Sequence, residues 1–410
     1  MKHYLECIGC GAHYSQSEIL YVCKSCGDLL EVRYDYESLR KSVDTALWKA
    51  RPLSVWRYEE LLPLEAASVK VSLGEGGTGL HRSIRLAESL GLKRLHVKNE
   101  GENPTGSFKD RGMTLGVSKA VEVNAQKVAC ASTGNTSASL AAYAAKAGIE
   151  CIVLVPSGRV ALGKLAQAVI HGARVLQIEG SFDDALRAVT KLAMSETGLY
   201  LLNSINPYRL EGQKTLAYEI WDQLGGRAPD KIIVPVGNAG NISAIWKGFQ
   251  DLNRLGLVSD LPRMIGIQAK EASPIAEAFK SGLNRIEPSQ SPETVATAIR
   301  IGSPASWKKA LRAVRDSNGL MDTVTDREIL DAQKLLARLE GIFVEPASAS
   351  SIAGLKKLVE AGAVSREEEV VCVATGHGLK DPEVVERACE KPITVEAEQD
   401  SIKRALGLNS

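Results

Sequence analysis

Lys109 lies in a run whose residue types could do chemistry: Glu102-Asn103-Pro104-Thr105-Gly106-Ser107-Phe108-Lys109-Asp110-Arg111-Gly112-Met113. The first half is polar and turn-forming. Apolar residues at helical spacing then follow, at Met113, Leu115, Val117 and Val121. A loop feeding a helix start leaves backbone N–H groups pointing outward, where an anion is favoured and an ammonium is disfavoured. A lysine placed there, beside Phe108, gives up its proton more readily and can act as an amine nucleophile. A solvated surface lysine is the competing reading, and three further loops bear on the choice.

Ser132-Thr133-Gly134-Asn135-Thr136-Ser137 follows a strand predicted over 128–131 and opens an alanine-rich helix. Its hydroxyls and free N–H groups suit a carboxylate, or they cap the helix and nothing more. Gly237-Asn238-Ala239-Gly240-Asn241 follows a strand predicted over 232–236. Its two glycines let the backbone turn its N–H groups inward as a phosphate nest, or simply make a tight turn. The pattern is not G-x-G-x-x-G and lacks an acidic residue for a ribose, which disfavours a dinucleotide. Thr375-Gly376-His377-Gly378 follows a strand predicted over 370–374. Its threonine offers a neutral hydroxyl, which beside a pyridine nitrogen would not favour protonation as an aspartate would. His377 reads either as a general base or as a structural residue. An aldehyde, a phenolic oxygen, a phosphate and a pyridine nitrogen match this inventory group for group, and pyridoxal phosphate carries all four.

The elements that must position these loops alternate. Strands are predicted over 94–98, 128–131, 151–155, 175–178, 232–236, 264–268 and 370–374, and helices over 138–147, 161–170 and 182–193, with Gly148, Gly172 and Gly198 as stops. Short strands alternating with helices imply parallel sheets, which bind ligands beyond the carboxyl ends of their strands. Trp48, Trp56, Pro52 and Pro63 suggest packing across a domain surface. The glycine-rich turn 74–79 lacks the Lys-Ser/Thr ending of a P-loop. The charged tail after Lys391 reads as a surface helix.

Cys7, Cys10, Cys23 and Cys26 form two Cys-x-x-Cys pairs, each followed by a glycine, Gly11 and Gly27. Two such knuckles complete a tetrahedral thiolate site for structural zinc. A disulfide pair, disfavoured in a reducing compartment, and a ribbon without metal are the alternatives. Cys130, Cys151 and Cys372 sit in apolar runs and read as buried small hydrophobes. Lys+Arg 50 against Asp+Glu 49 leaves a net charge of +1 over 410 residues. Bulk charge therefore points to neither nucleic acid nor a membrane surface. No apolar run reaches the roughly 18 residues of a membrane span. The N-terminus has no signal-peptide core, so a cytoplasmic location is expected. A non-catalytic zinc-ribbon binding protein is the reading from another class. Ribbons that contact nucleic acid need a basic surface, and Lys2, Lys24 and Arg33 here face Glu6, Glu18, Asp28 and Glu31.

Taken in order, the stretches 102–113, 132–139, 237–241 and 374–381 resemble the threonine synthase family, pyridoxal-phosphate enzymes of the tryptophan synthase β-type fold. The stretches 162–167, 181–185 and 203–209 add to the resemblance, which runs from about 70 to 385. It implies an α/β chain with two doubly wound domains of PLP fold type II and a small N-terminal zinc-ribbon-like knob. The knob would span 1–35, the large domain 36–112 and 204–410, and the small domain 113–203. It also implies that Lys109 joins the cofactor's aldehyde, Asn135 bonds its phenolic oxygen, Gly237, Asn238, Ala239, Gly240 and Asn241 hold its phosphate, and Thr375 faces its ring nitrogen. Thr136 would help hold the substrate carboxylate. Asn203, Ser204 and Arg209 would hold a substrate phosphate, a task that suits the planar fork of arginine. Gly79 stands where many relatives have proline, and the four-cysteine knob occurs in only part of the family. The implied reaction is O-phospho-L-homoserine plus water giving L-threonine and phosphate, in a cytoplasmic homodimer. A related β-replacement enzyme, such as one making cysteate from phosphoserine and sulfite, would use the same lysine, asparagine and glycine loop.

Overall fold

The computed structural model describes residues 3–157, 162–196, 198–384, 389 and 392–408, without the side chains of 162–164 and 182–183. Residue 161 of the expected second helix and Lys391 at the start of the tail lie outside the described residues. In chain order the strands are β1 (His3–Cys7), β2 (His13–Ser15), β3 (Leu30–Tyr34), β4 (Leu80–Arg82), β5 (Arg94–Asn99), β6 (Lys127–Ala131), β7 (Glu150–Pro156), β8 (Arg174–Ile178), β9 (Leu199–Leu201), β10 (Lys231–Pro235), β11 (Arg263–Ala269), β12 (Leu320–Val324) and β13 (Glu369–Ala374).

They form three sheets. A small antiparallel ribbon has the order β2-β1-β3. A six-stranded sheet runs β12-β11-β10-β13-β5-β4, parallel except for β4 on β5. A four-stranded parallel sheet runs β8-β7-β6-β9. The seven strands expected from the sequence are all present. In the two larger sheets β4, β9 and β12 are the ones it does not announce. All three are edge strands, and β4 and β9 have only three residues each, too short to show a pattern.

Each parallel sheet is covered on two sides. Ile232, Val234 and Val236 pack into one core with Ile245 and Phe249 of the helix Gly240–Arg254. Ile233 and Cys372 pack into another with Leu336 and Ile352, from the helices Asp326–Glu340 and Pro346–Glu360. In the smaller sheet Val128, Cys130 and Val153 face one cluster, and Ala129, Ala131 and Leu154 face the other. Cys130, Cys151 and Cys372 are buried as expected. Trp48 is 1 % exposed, edge-on to Tyr58 and Trp221.

The ribbon has no separate core. Leu5, Leu30, Val32 and Tyr34 join the cluster of Val234 and Phe249, while Tyr21 joins Leu199 and Leu201 beneath the four-stranded sheet. Near the other terminus the helix Gln399–Leu406 buries nothing, in keeping with a surface helix. Among the described residues no helix is long and apolar enough to cross a membrane.

Candidate active site

Lys109 is the first residue of the helix Lys109–Glu122. The adjacency of β5 and β13 decides where it sits, because the loops leaving these strands pair with each other. Phe108 N–H donates to the Thr375 carbonyl at 3.0 Å, and His377 N–H to the Gly106 carbonyl at 2.9 Å. Asp110 then ties this loop to the helix Asn135–Ala147. It accepts from the Thr105 N–H at 2.7 Å, the Thr105 hydroxyl at 2.6 Å and the Ser139 hydroxyl at 2.5 Å. Lys109 Nζ lies 4.0 Å from the Phe108 ring centroid. Burial, and then the Arg209 guanidinium, lower its pKa to about 7, with Glu345 opposing them. The helix end expected to act on this amine is thus not what dominates; desolvation is.

The loops after β6 and β13 meet at Glu345. Asn135 Nδ2 donates to both of its carboxylate oxygens, at 3.2 and 3.0 Å. The Thr375 hydroxyl lies 3.4 Å from the same carboxylate and 3.0 Å from the Ser348 hydroxyl. Burial raises the pKa of Glu345. No motif in the sequence marks Glu345 or Ser348. The one local hint is Glu-Pro opening the helix Pro346–Glu360, which reads as a helix start and nothing more.

The turn 237–241 leads from β10 into the helix Gly240–Arg254. Ala239 holds a left-handed φ of 65°, a conformation that non-glycine residues rarely adopt. Asn238 fixes the turn by accepting from Ser306 N–H at 3.1 Å through its carbonyl, and from Ala305 N–H at 3.2 Å through its side chain. The Asn241 carboxamide is buried with neither its oxygen nor its nitrogen bonded. Gly237 has no room for a side chain, since a Cβ would lie 3.0 Å from Ile299 Cα. Gln213 packs against both Gly112 and Gly240 and so joins this turn to the helix of Lys109.

Arg209 stands on the helix Pro207–Gln213, only 2 % exposed. Its Nε and Nη1 have no acceptor, and burial lowers its pKa to about 10. Asn203 is placed differently from a ligand-binding side chain. Its Oδ1 accepts from Ala131 N–H at 2.9 Å and its Nδ2 donates to the Ala131 carbonyl at 3.0 Å, extending the β6–β9 pairing. Ser204 and Thr136 are half-buried.

At the N-terminus the four Sγ atoms of Cys7, Cys10, Cys23 and Cys26 lie within 4.8 Å of one another. Cys7 and Cys26 are 3.4 Å apart, and Cys10 and Cys23 3.6 Å. Those separations are too long for a disulfide. They approach the ~3.8 Å between sulfurs set tetrahedrally at about 2.3 Å from zinc. Gly11 and Gly27 take positive φ, at 73° and 75°, so that the chain can turn under each pair.

A family described as pyridoxal-phosphate dependent enzymes matches residues 71–376. The chain is 59 % identical over 401 residues to a threonine synthase of Methanocaldococcus jannaschii, covering 98 % of both chains. It is 50 % identical over 364 residues to a threonine synthase of Mycobacterium tuberculosis, covering 89 % of this chain and 98 % of that one. The chain belongs to the threonine synthase family. Among solved structures, its fold matches the processed form of threonine deaminase isoform 2 from Solanum lycopersicum with a TM-score of 0.66. That match has 20 % identity and covers 87 % of this chain and 95 % of that one.

Pyridoxal phosphate is the cofactor of such an enzyme, and the residues present fit it. The lysine amine is held near neutrality. The hydroxyl pair Thr375–Ser348 offers a ring nitrogen no charge. The Asn241 carboxamide, without internal partners, opens the helix after the glycine turn. The four-cysteine cluster can hold a zinc ion.

Proposed function

We propose that this chain converts O-phospho-L-homoserine and water into L-threonine and phosphate. The observation that carries the reading is Arg209. A guanidinium buried without an acceptor is costly unless an anion completes the site, and it lies close enough to Lys109 to lower that amine's pKa. A substrate joined at Lys109 can therefore present a phosphate to Arg209.

Bound pyridoxal phosphate would supply an aldehyde for the substrate amine and a ring that accepts electrons from the α-carbon. The protein's own groups do the rest. Lys109 Nζ takes the α-proton, because an amine with a pKa near 7 is free to accept it at neutral pH. Asn135 and Thr375 would face the cofactor's oxygen and ring nitrogen. The N–H groups of 237–241 would hold its phosphate. Thr136, at the start of the helix Asn135–Ala147, holds the substrate carboxylate. Arg209 and Ser204 hold the substrate phosphate as it leaves, and Asn203 fixes the loop that carries Ser204. Lys109 returns the proton before threonine departs.

The two parallel sheets are the cores of a large domain, 36–112 with 204–410, and a small domain, 113–203, which close on the substrate and govern when water enters. The working unit is a homodimer, the commonest symmetric oligomer. The reaction belongs in the cytoplasm, where eight cysteines outside any disulfide would stay reduced. Steady-state assays with O-phospho-L-homoserine, and with O-phospho-L-serine plus sulfite, test the reading. Threonine and phosphate should form from the first. Cysteate as the main product would replace the assignment with a β-replacement enzyme.

A further inference from the structure

The ribbon touches the substrate-phosphate segment more closely than a structural appendage would need to. Residues 199–213 carry Asn203, Ser204 and Arg209, and ribbon side chains hold this segment at both ends. At its start, Leu201 N–H donates to the Tyr21 hydroxyl at 2.8 Å, and the Tyr21 ring stands edge-on to Tyr200. At its end, the Tyr34 hydroxyl donates to Glu211 Oε2 at 2.5 Å. Lys247 bonds the other Glu211 oxygen and donates to the Val32 carbonyl of β3 at 2.6 Å. The His3 ring stands edge-on to Tyr208, the residue before Arg209. The opposite side of the segment leans on the helix of Lys109, where Cβ atoms at Gly112 and Gly116 would meet Arg209.

This arrangement answers a physical problem at Arg209. Until an anion arrives, a buried guanidinium lacking acceptors gains free energy by swinging toward water. Something must hold the helix Pro207–Gln213 against that tendency. Its own side contributes Glu211, bonded to Lys247 and paired with Lys214, which also reaches Asp251. The ribbon contributes the Tyr34 and Tyr21 hydroxyls. We propose that Tyr34 and Tyr21 of the four-cysteine ribbon are positioning residues for the substrate phosphate, holding Arg209 and Ser204 ready in the absence of ligand. The proposal rests on the reading of Arg209 as the phosphate-binding residue.

Tyr34→Phe, Tyr21→Phe and the double variant each remove only hydroxyls, so the ring packing stays. Each is compared with wild type and with Arg209→Gln. The measurements are KM and kcat for O-phospho-L-homoserine, the inhibition constant of inorganic phosphate, and the visible absorbance of bound pyridoxal phosphate. Losing preorganisation should raise KM and the phosphate inhibition constant by about tenfold in the double variant, with kcat and the absorbance unchanged. If Arg209→Gln raises both constants while the tyrosine variants leave them alone, the ribbon does not position the site and the inference is overturned. A fall in kcat and absorbance at unchanged KM would show general loosening and overturn it equally. If Arg209→Gln itself leaves both constants unchanged, the reading of Arg209 fails and takes the inference with it.

Discussion

At the scale of single residues, the decisive quantity is the proton on Lys109. An ordinary lysine is charged up to a pH near 10, and a charged amine cannot attack an aldehyde. Burial and the nearby Arg209 bring the pKa of Lys109 to about 7. Reloading of cofactor-stripped protein with pyridoxal phosphate should therefore speed up as pH rises through about 7 and level off well below 9. Stopped-flow absorbance across pH 5.5 to 9 follows this directly, and a rate still climbing steeply at pH 9 would show an ordinary lysine. The same shift sets a stability trend in the stripped protein. The folded pKa lies below the unfolded one, so between about 7 and 10.5 the unfolded chain binds more protons. Stability gains from Lys109 should accrue as pH rises through that window. Lys109→Ala should lose both turnover and the visible absorbance, and it should flatten this part of the pH–stability curve.

Glu345 makes a second case at this scale. It is the acceptor for Asn135 and a neighbour of Thr375, so it joins two loops that the cofactor must fit between. Glu345→Ala leaves the buried Asn135 amide without its partner, a penalty of about 1–3 kcal/mol. Dialysis should strip cofactor from this variant roughly tenfold faster than from wild type, with Glu345→Gln in between; equal retention in all three would dismiss the role. The sequence does not reveal this residue. Asn135 and Glu345 are 210 positions apart, and each alone reads as helix-start chemistry. Lys109 was legible because its loop, its helix and its aromatic neighbour are contiguous. Asn203 comes from the family resemblance alone, and there as a phosphate ligand; its pairing with Ala131 across 72 positions depends on strand order, which no local pattern shows.

At the scale of elements, strand adjacency assembles the site. β13 lies between β10 and β5, so the turn 237–241, the Thr375 loop and the Lys109 loop leave the carboxyl ends of neighbouring strands. The runs of Val and Ile made those central strands readable, whereas their order was not written in any local pattern. One helix contact is equally hidden. The helices Lys109–Glu122 and Pro207–Gln213 meet backbone to backbone at Gly212, where a Cβ would fall 1.9 Å from the Arg111 carbonyl oxygen. No flexible side chain can yield there, so Gly212→Ala must push the helices apart. Overpacking of this kind costs about 1–3 kcal/mol or more, and it moves Arg209 away from Lys109. The melting temperature should fall by roughly 1–4 °C, with KM for the phosphorylated substrate rising more than kcat falls. An unchanged melting temperature would mean that the helices have slack the packing does not show.

At the scale of the whole molecule, the question is whether the ribbon folds with the body or beside it. A separate module would have its own core and a polar seam. Here Leu5, Leu30, Val32 and Tyr34 are buried in the same cluster as Val234 and Phe249, and Tyr21 lies under the other sheet. Polar links cross the same boundary: Lys309 Nζ donates to the Leu30 carbonyl at 2.8 Å, and Lys308 pairs with Asp28. Opening the ribbon would expose apolar surface on both sheets, at about 25 cal/mol per Å², as well as the Leu30 carbonyl that Lys309 satisfies. Zinc held by Cys7, Cys10, Cys23 and Cys26 would favour only the closed ribbon, and its binding free energy would be passed to the whole fold by linkage. Calorimetry with and without a strong chelator should accordingly show one transition in each case, displaced to lower temperature when metal is withdrawn. A small early transition followed by an unmoved main one would instead mark the ribbon as an independent unit, because only a body that gains nothing from the ribbon could ignore its loss.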